Sequence, residues 1–566
     1  TRPRGFWLAE RVWEPVLAAD LAAAGIEHTV LDDSRFFEAG LCEEQLTGYW
    51  LTDDNSPPIA VFAGSERLRK LIPFAPVEQV MGVLRDAARA NPGAVLVYAD
   101  DAEKFGAWPG MHEHCFDCGW LEQFFQALAA EDRWLRTATL RDVIDEVPPL
   151  GRVYLPDGSY REMDAWASLS TRAPHPSSIE AAEQPELPKG CWRNFRVKYP
   201  EIDNMIARML MVSQRVSQAE QDGMRADLVA AARRELHLGQ CGDAYWHGLF
   251  GGAYLPHLRQ AVYRHLISAE TLIDDDRRAG REVRVTIDDF NADVHREVAL
   301  SNEHLSAFFT PERGGMLYEL DLRRPATNLL ATFAPRREPY HEPAGGDDPV
   351  ASDDPAAGAH ARPSGASPRH CLIDRFFAVE STLDEIASGR AIDRGQFFQR
   401  RYERRMRRHG DRARLELACA GVVDRNSVRV SKTIELSAER AELVIDYRIE
   451  GLPAGYATRF AVEFNLAGAW TSIRDLRRPT GQFAAVAAEL GLDVAWQTSH
   501  EASVVMYPVQ TLSRCQLGLE SIVQSWAVVP TWEIVGVAGE AWSLRLSWSL
   551  GSVESAVGAV PLVSSR

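Results

Sequence analysis

The 566-residue chain has no apolar run of the roughly 18 residues that a membrane-spanning helix needs. Cysteine is scarce. The eight, at positions 42, 115, 118, 191, 241, 371, 419 and 515, are too dilute for a disulfide framework, and a reducing cytoplasm is the simpler setting. Basic charge is in deficit: 62 Lys and Arg stand against 80 Asp and Glu, a net charge of −18. That balance argues against nucleic acid or an anionic membrane as partner, and it suits a neutral substrate. A cluster of metal-ligating types does occur, His112-x-His114-Cys115-x-x-Cys118, and it resembles part of a zinc site. Lone pairs of this kind are often idle, so no metal and no other cofactor is expected.

What the chain does have is length for about two to four domains, and ordinary globular proportions of 46% hydrophobic and 25% charged residues. Its most informative stretch is Val95–Phe125. Val95-Leu96-Val97-Tyr98 reads as a buried strand, and Asp100, Asp101 and Glu103 follow at once. Apolar residues return at helical spacing from Trp120. A strand that ends in carboxylates and leads into a helix fits the rim of a β/α barrel, where strand C-termini carry the chemistry. A solvated acidic turn in a plain βα unit fits this stretch equally well.

The N-terminus breaks the tie. Gly5–Pro15, GFWLAERVWEP, sets Glu10 among Phe6, Trp7 and Trp13. Aromatic residues more often pack a core than grip a ligand, but their faces also stack on sugar rings. Two carboxylates on separate strand ends, one as nucleophile and one as acid, are what a retaining glycosidase needs.

GFWLAERVWEP, YADDAEKFG (98–106) and DAYWHGLFGG (243–252) together resemble three signature motifs of the family 57 glycoside hydrolases. The similarity is to the branch of 4-α-glucanotransferases and α-amylases, and it extends over the whole chain. It implies Glu10 as nucleophile and Asp101 as proton donor and acid/base. It further implies an α-glucan substrate bound by Trp7, Trp13, Glu103, Trp108, Trp246 and His247. Asp100 and Glu103 crowd Asp101 with like charge, and Lys104 opposes them. The family's His-Gln-Pro strand is not in the chain, which opens at Thr1 inside a motif, so an N-terminal part of the barrel is expected to be missing. The expected activity is transfer of α-1,4-glucan segments; hydrolysis, and non-catalytic glucan binding, are the alternatives. A homodimer is admitted but not read from the residues.

The expected architecture is multidomain: an incomplete seven-fold β/α barrel over residues 1–165, a helical bundle over 166–275 that completes the active site, and a C-terminal β-sandwich over 276–566 with a flexible loop near 342–370. Residues 14–24 are predicted as a helix closed by Gly25, and 26–31 as a strand. A hairpin is predicted around 53–58, a short strand over Leu71–Phe74, and a helix over Val77–Ala90. Residues 199–236 read as helical. Beyond 282 the apolar period changes to two, as in Val283, Val285 and Ile287. Trp246, His247 and the pair Gly251-Gly252 read as a sugar-binding wall, or else as a turn between helices with a core histidine.

Overall fold

A computed structural model describes residues 2–169, 190–248, 251–277, 282–336, 338, 368–472, 476, 478–515 and 518–552. The loop expected at 342–370 lies outside them apart from 368–370, and so does most of the proline-bearing stretch 168–188. The chain combines helix and sheet in two compact units, residues 1–194 and 195–566.

The first unit is built on a four-stranded sheet of β1 (Gly5–Phe6), β2 (His28–Asp32), β3 (Tyr49–Thr52) and β4 (Ile59–Gly64). Their order is β1-β2-β4-β3; the first two pairings are parallel and β3 runs antiparallel to β4. Alternation along the strands feeds two cores. Leu31 and Val61 pack with Leu8, Trp13, Leu21 and Phe36 on one side. Val30, Ala60 and Phe62 pack with Tyr49, Val97 and Val143 on the other. A sheet covered on both faces accounts for the unbroken burial along β2 and from Ile59 to Ala63 in β4.

Helix ends follow local chemistry. The expected helix near 14–24 is Leu17–Ala23, and Gly25 beyond it takes φ +74°, a left-handed conformation that glycine adopts without steric cost. The Asp32 carboxylate accepts from the Ser34 N–H at 3.3 Å and starts the helix Asp33–Glu38. Ser65 caps Glu66–Leu71 by accepting from the Leu68 N–H at 3.2 Å. The helix Val77–Ala90 and the β3–β4 hairpin form where the sequence predicts them.

Two expectations fail in this unit. Leu71–Phe74 is not a strand: Leu71 ends a helix, and Leu68 and Ile72, one turn apart, pack together against Val80 and Trp120. Val95–Tyr98 is reduced to a single parallel bridge between Val97 and Gly64, the last residue of β4. Only the end of β4 extends past β3, so only one residue of the apolar run finds a partner there.

In the second unit the helical stretch is two helices, Pro200–Gln221 and Ala226–Gly239, parted at Gly223 with φ +74°, and a third follows at Pro256–Arg277. Then come a five-stranded antiparallel sheet from Arg284 to Asn328 and an eleven-stranded sheet from Ile373 to Ser552. The two-residue period is borne out: Arg412–Val423 buries every second side chain from Ala413 to Val423. Both sheets contribute to one apolar core, with Val298, Leu305 and Leu317 from the smaller and Leu415, Ile434, Trp496 and Trp548 from the larger.

Candidate active site

Glu10 stands on a tight turn, Ala9–Arg11, immediately after β1. Its backbone is left-handed, with φ 53° and ψ 20°, and Arg11 follows at φ 50°. A non-glycine residue in that region costs about 1–3 kcal/mol and persists where its surroundings over-determine it. The surroundings here are residues 158–160. The Ser159 hydroxyl donates to the Glu10 carbonyl, and the Tyr160 phenol donates to Glu10 Oε2 at 2.6 Å. Trp13 and Gly158 exchange backbone bonds of 2.8 and 3.0 Å. Gly158, at φ +150°, has no room for a Cβ, which would run into the Arg35 guanidinium.

Two cations and a carboxylate frame this turn. The buried Arg11 places Nε 3.9 Å from Asp32 Oδ2, and Arg69 places Nη2 3.6 Å from the same oxygen. Both guanidinium carbons lie over the Tyr160 ring, at 4.5 and 5.6 Å from its centre. Burial, and then the charge on Glu10, drive the Tyr160 phenol well above its ordinary pKa, so it is a donor at any working pH. Asp32 thus has two duties, helix cap and counter-ion.

Arg69 also reaches the second carboxylate cluster. Its carbonyl accepts from the buried Lys104 ammonium at 2.7 Å, and Lys104 is paired with Asp100. Burial pulls the Lys104 ammonium below its usual pKa against the pull of Asp100. Asp100 Oδ1 in turn accepts from the Asp101 N–H at 2.9 Å, and the Asp101 and Glu103 side chains are exposed. Lys104, expected to oppose the like-charge effect of Asp100 and Glu103 on Asp101, makes its direct ion pair with Asp100 and feels Asp101 at longer range. Glu10 and Asp101 are therefore tied to one residue, Arg69, one through a shared ring and the other through Lys104 and Asp100.

The expected sugar platforms divide. Trp7 is 46% exposed, with the Arg11 guanidinium 6.0 Å from its ring. Trp108 is half-buried and stacks on the exposed Phe74, centroids 6.1 Å apart and planes at 27°. Trp13 is a correction. It is 1% exposed, packs in the core with Leu8 and Phe36, and donates its indole N–H to the Leu155 carbonyl at 3.3 Å, so no face is open to a sugar.

In the second unit His247 is buried, 4.8 Å from the Tyr254 ring, with Nδ1 3.3 Å from the Gly251 carbonyl. Trp246 is half-buried, edge-on to Phe195. The close backbone approach expected at Gly251-Gly252 is internal: a Cβ on Gly252, at φ +49°, would strike the Trp246 carbonyl, which accepts from the Ala253 N–H at 2.7 Å. The surface His112 and Cys118 and the buried Cys115 lie on one short helical turn, where His114 donates to the Pro73 carbonyl at 2.8 Å. Among the described residues no helix is long and apolar enough to cross a membrane, and no three His, Cys, Asp or Glu side chains are placed to hold a metal ion.

Residues 1–156 match the family described as Glycosyl hydrolase family 57. The chain belongs to that family and is an enzyme. Residues 190–273 and 289–546 match the middle and C-terminal domains described for alpha-amylase/4-alpha-glucanotransferase. A 4-alpha-glucanotransferase of Thermococcus kodakarensis is 34% identical over 551 residues, 92% of this chain and 79% of that one. Alpha-amylase 1 of Dictyoglomus thermophilum is 30% identical over 95% of this chain and 82% of its own. The crystal structure of 4-alpha-glucanotransferase from Thermococcus litoralis superposes with a TM-score of 0.82 at 31% identity, covering 96% of this chain and 82% of that one.

Sequence reasoning missed Ser159, Tyr160, Arg69 and Asp32 as parts of this site. Tyr160 is 150 residues from its carboxylate partner and lies beyond the family 57 match. The one local signal is the pair Asp32-Asp33 after the strand expected at 26–31, a placing that suits a helix or turn cap at least as well as a site.

Proposed function

We propose that this chain is a retaining 4-α-glucanotransferase acting on α-1,4-glucans and maltodextrins. Glu10 is the nucleophile and Asp101 the acid/base. Asp101 gives its proton to the glycosidic oxygen as Glu10 bonds to the anomeric carbon. An acceptor sugar then gives a proton back to Asp101 and takes the glycosyl group. The observation that carries this reading is the strained, tyrosine-held carboxylate at the end of β1, joined through Arg69 to an exposed Asp at the far side of the sheet end. Retention asks for carboxyl groups about 5–5.5 Å apart.

Trp7, Trp108 and Glu103 have surface to offer the sugar. For Trp246 and His247 the substrate role rests on the motif that carries them, and the half-buried indole is the part of that pair with a face to present. The proposed domain plan is a β/α barrel domain up to 165, a helical domain over 166–275 and a β-sandwich over 276–566. Transfer is put ahead of hydrolysis because the Thermococcus glucanotransferases are 34 and 33% identical to this chain, against 30–32% for α-amylases of similar coverage.

Incubation with maltotriose separates the two. A ladder of longer oligomers is the expected result. Glucose and maltose alone would identify a hydrolase, and no turnover would leave a glucan-binding protein.

A further inference from the structure

The turn that carries Glu10 is gripped at both its carbonyl and its carboxylate by one dipeptide, Ser159-Tyr160, that lies outside the three motifs. We propose that Tyr160 is a positioning residue for the nucleophile: it fixes the Glu10 carboxylate while negative charge leaves that group and returns to it. The inference rests on Glu10 being the nucleophile.

The phenol is 2.6 Å from Glu10 Oε2, a short charge-assisted bond, and the residue is 7% exposed. Arg11 and Arg69 lie over its ring, and the two guanidiniums stand 3.9 and 3.6 Å from Asp32 Oδ2. Its neighbour Ser159 binds the Glu10 carbonyl, so a single pair of residues sets both the backbone and the carboxylate of the turn. The charged groups that face Tyr160 come from four elements. Glu10 and Arg11 follow β1, Asp32 closes β2, Arg69 lies on the helix after β4, and Glu162 lies on Tyr160's own helix Arg161–Trp166.

The chemical consequence follows from where the electrons go. In the first half-reaction a Glu10 oxygen bonds to the anomeric carbon, the bond to the departing sugar breaks, and that sugar's oxygen takes the Asp101 proton. Glu10 loses its charge. In the second half the acceptor hydroxyl bonds to the same carbon and gives its proton to Asp101, and the electrons of the ester bond return to Glu10. A donor fixed at 2.6 Å stabilises the resting carboxylate and lowers the barrier to its re-formation. Removing it raises the pKa of the nucleophile and slows the second half-reaction more than the first.

The test is Tyr160→Phe in the full chain, which keeps the ring under the two guanidiniums. The acid limb of the kcat/KM profile is expected to move up by about one pH unit, and kcat to fall roughly 10-fold or more. A 5-fluoro glucosyl fluoride should then leave a larger steady-state fraction of covalent enzyme. A fall in melting temperature with an unmoved acid limb would overturn the inference, because a merely structural residue gives that result. Should Tyr160→Phe fail to fold, replacing Tyr160 by 3-fluorotyrosine strengthens the donor without changing the shape, and the limb should move down; an unmoved limb overturns the inference equally. Glu10→Gln keeps the two levels apart. If that variant stays active, the assigned nucleophile is wrong. If it is inactive while Tyr160→Phe has the wild-type profile, only the role of Tyr160 falls.

Discussion

Two tyrosine-held carboxylates in this molecule lead opposite lives. Asp374, in the second unit, accepts from the Tyr402 phenol at 2.7 Å, the Tyr447 phenol at 3.0 Å and the Lys432 ammonium at 2.9 Å. Lys432 spends its other donors on the carbonyls of Gly314 and Leu372, and the ion pair is sealed from solvent. Glu10, in the first unit, accepts from the Tyr160 phenol and combines a left-handed backbone with partial exposure just past a parallel strand. A saturated buried pair with relaxed access to nothing has a structural task. A carboxylate held on a strained turn at a strand end is placed to meet a substrate.

Mutations should separate the two sharply. Glu10→Gln is expected to cost at least about 10³-fold in kcat with the melting curve unchanged. Lys432→Met is expected to do the reverse. It leaves Asp374 charged, buried and short of a counter-ion, at about 3–5 kcal/mol of stability, with normal kcat in whatever fraction folds. Thermal unfolding and initial rates on both variants measure the contrast; a stability loss in Glu10→Gln as large as in Lys432→Met would erase it.

The two tryptophans of the first motif repeat the contrast on an apolar scale. Trp13→Ala empties a core site and should cost about 3–5 kcal/mol. Trp7→Ala removes an exposed face, and should raise KM for maltodextrin several-fold while stability moves by less than about 0.5 kcal/mol. Equal effects of the two on stability would contradict the different burial of the two rings.

This pair also shows what was legible in the sequence and what was not. GFWLAERVWEP fixes which residues lie near the carboxylate, but with a left-handed turn at Glu10-Arg11 between the two tryptophans it does not fix which ring faces inward. The helix Val77–Ala90, the hairpin around 53–58 and the alternating strands after 282 were legible because each has a clean period and proper turn residues. Leu71–Phe74 was misread because four apolar residues fit a strand and a helix end equally well. Val95–Tyr98 has strand composition, but the partner strand offers it only Gly64. The contacts that hold Glu10 were illegible for another reason: Asp32 ends a strand, Arg69 lies on the helix after β4 and Tyr160 precedes the helix Arg161–Trp166, and no spacing rule joins them.

The pH dependence of stability should differ between the units in direction. Burial, together with the neighbouring charge of Asp32, raises the Asp33 carboxyl to about 7 in the folded chain. Its proton is bound more tightly folded than unfolded, so stability is full below the unfolded value near 4 and is lost as pH rises through about 7. Glu463 goes the other way. Burial opposes ionisation, but Arg375 and Arg369 outweigh it and hold the carboxyl at about 2. Its contribution is present above the unfolded value and lost as pH falls from about 4.5 towards 2. Asp33→Asn should flatten the decline between pH 4 and 7, by on the order of 2–4 kcal/mol, and Glu463→Gln should flatten the acid side. Denaturant midpoints of both variants across pH check the signs, and an exchange of the two effects would contradict them.

Covalent capture tests the central claim most directly. The full chain is incubated with a 5-fluoro glucosyl fluoride and digested, and the labelled peptide is sequenced by mass spectrometry. The ester is expected on Glu10, and it should be absent from Glu10→Gln. A label on any other carboxylate would contradict the account, as would a product released with inverted anomeric configuration and no label on the chain.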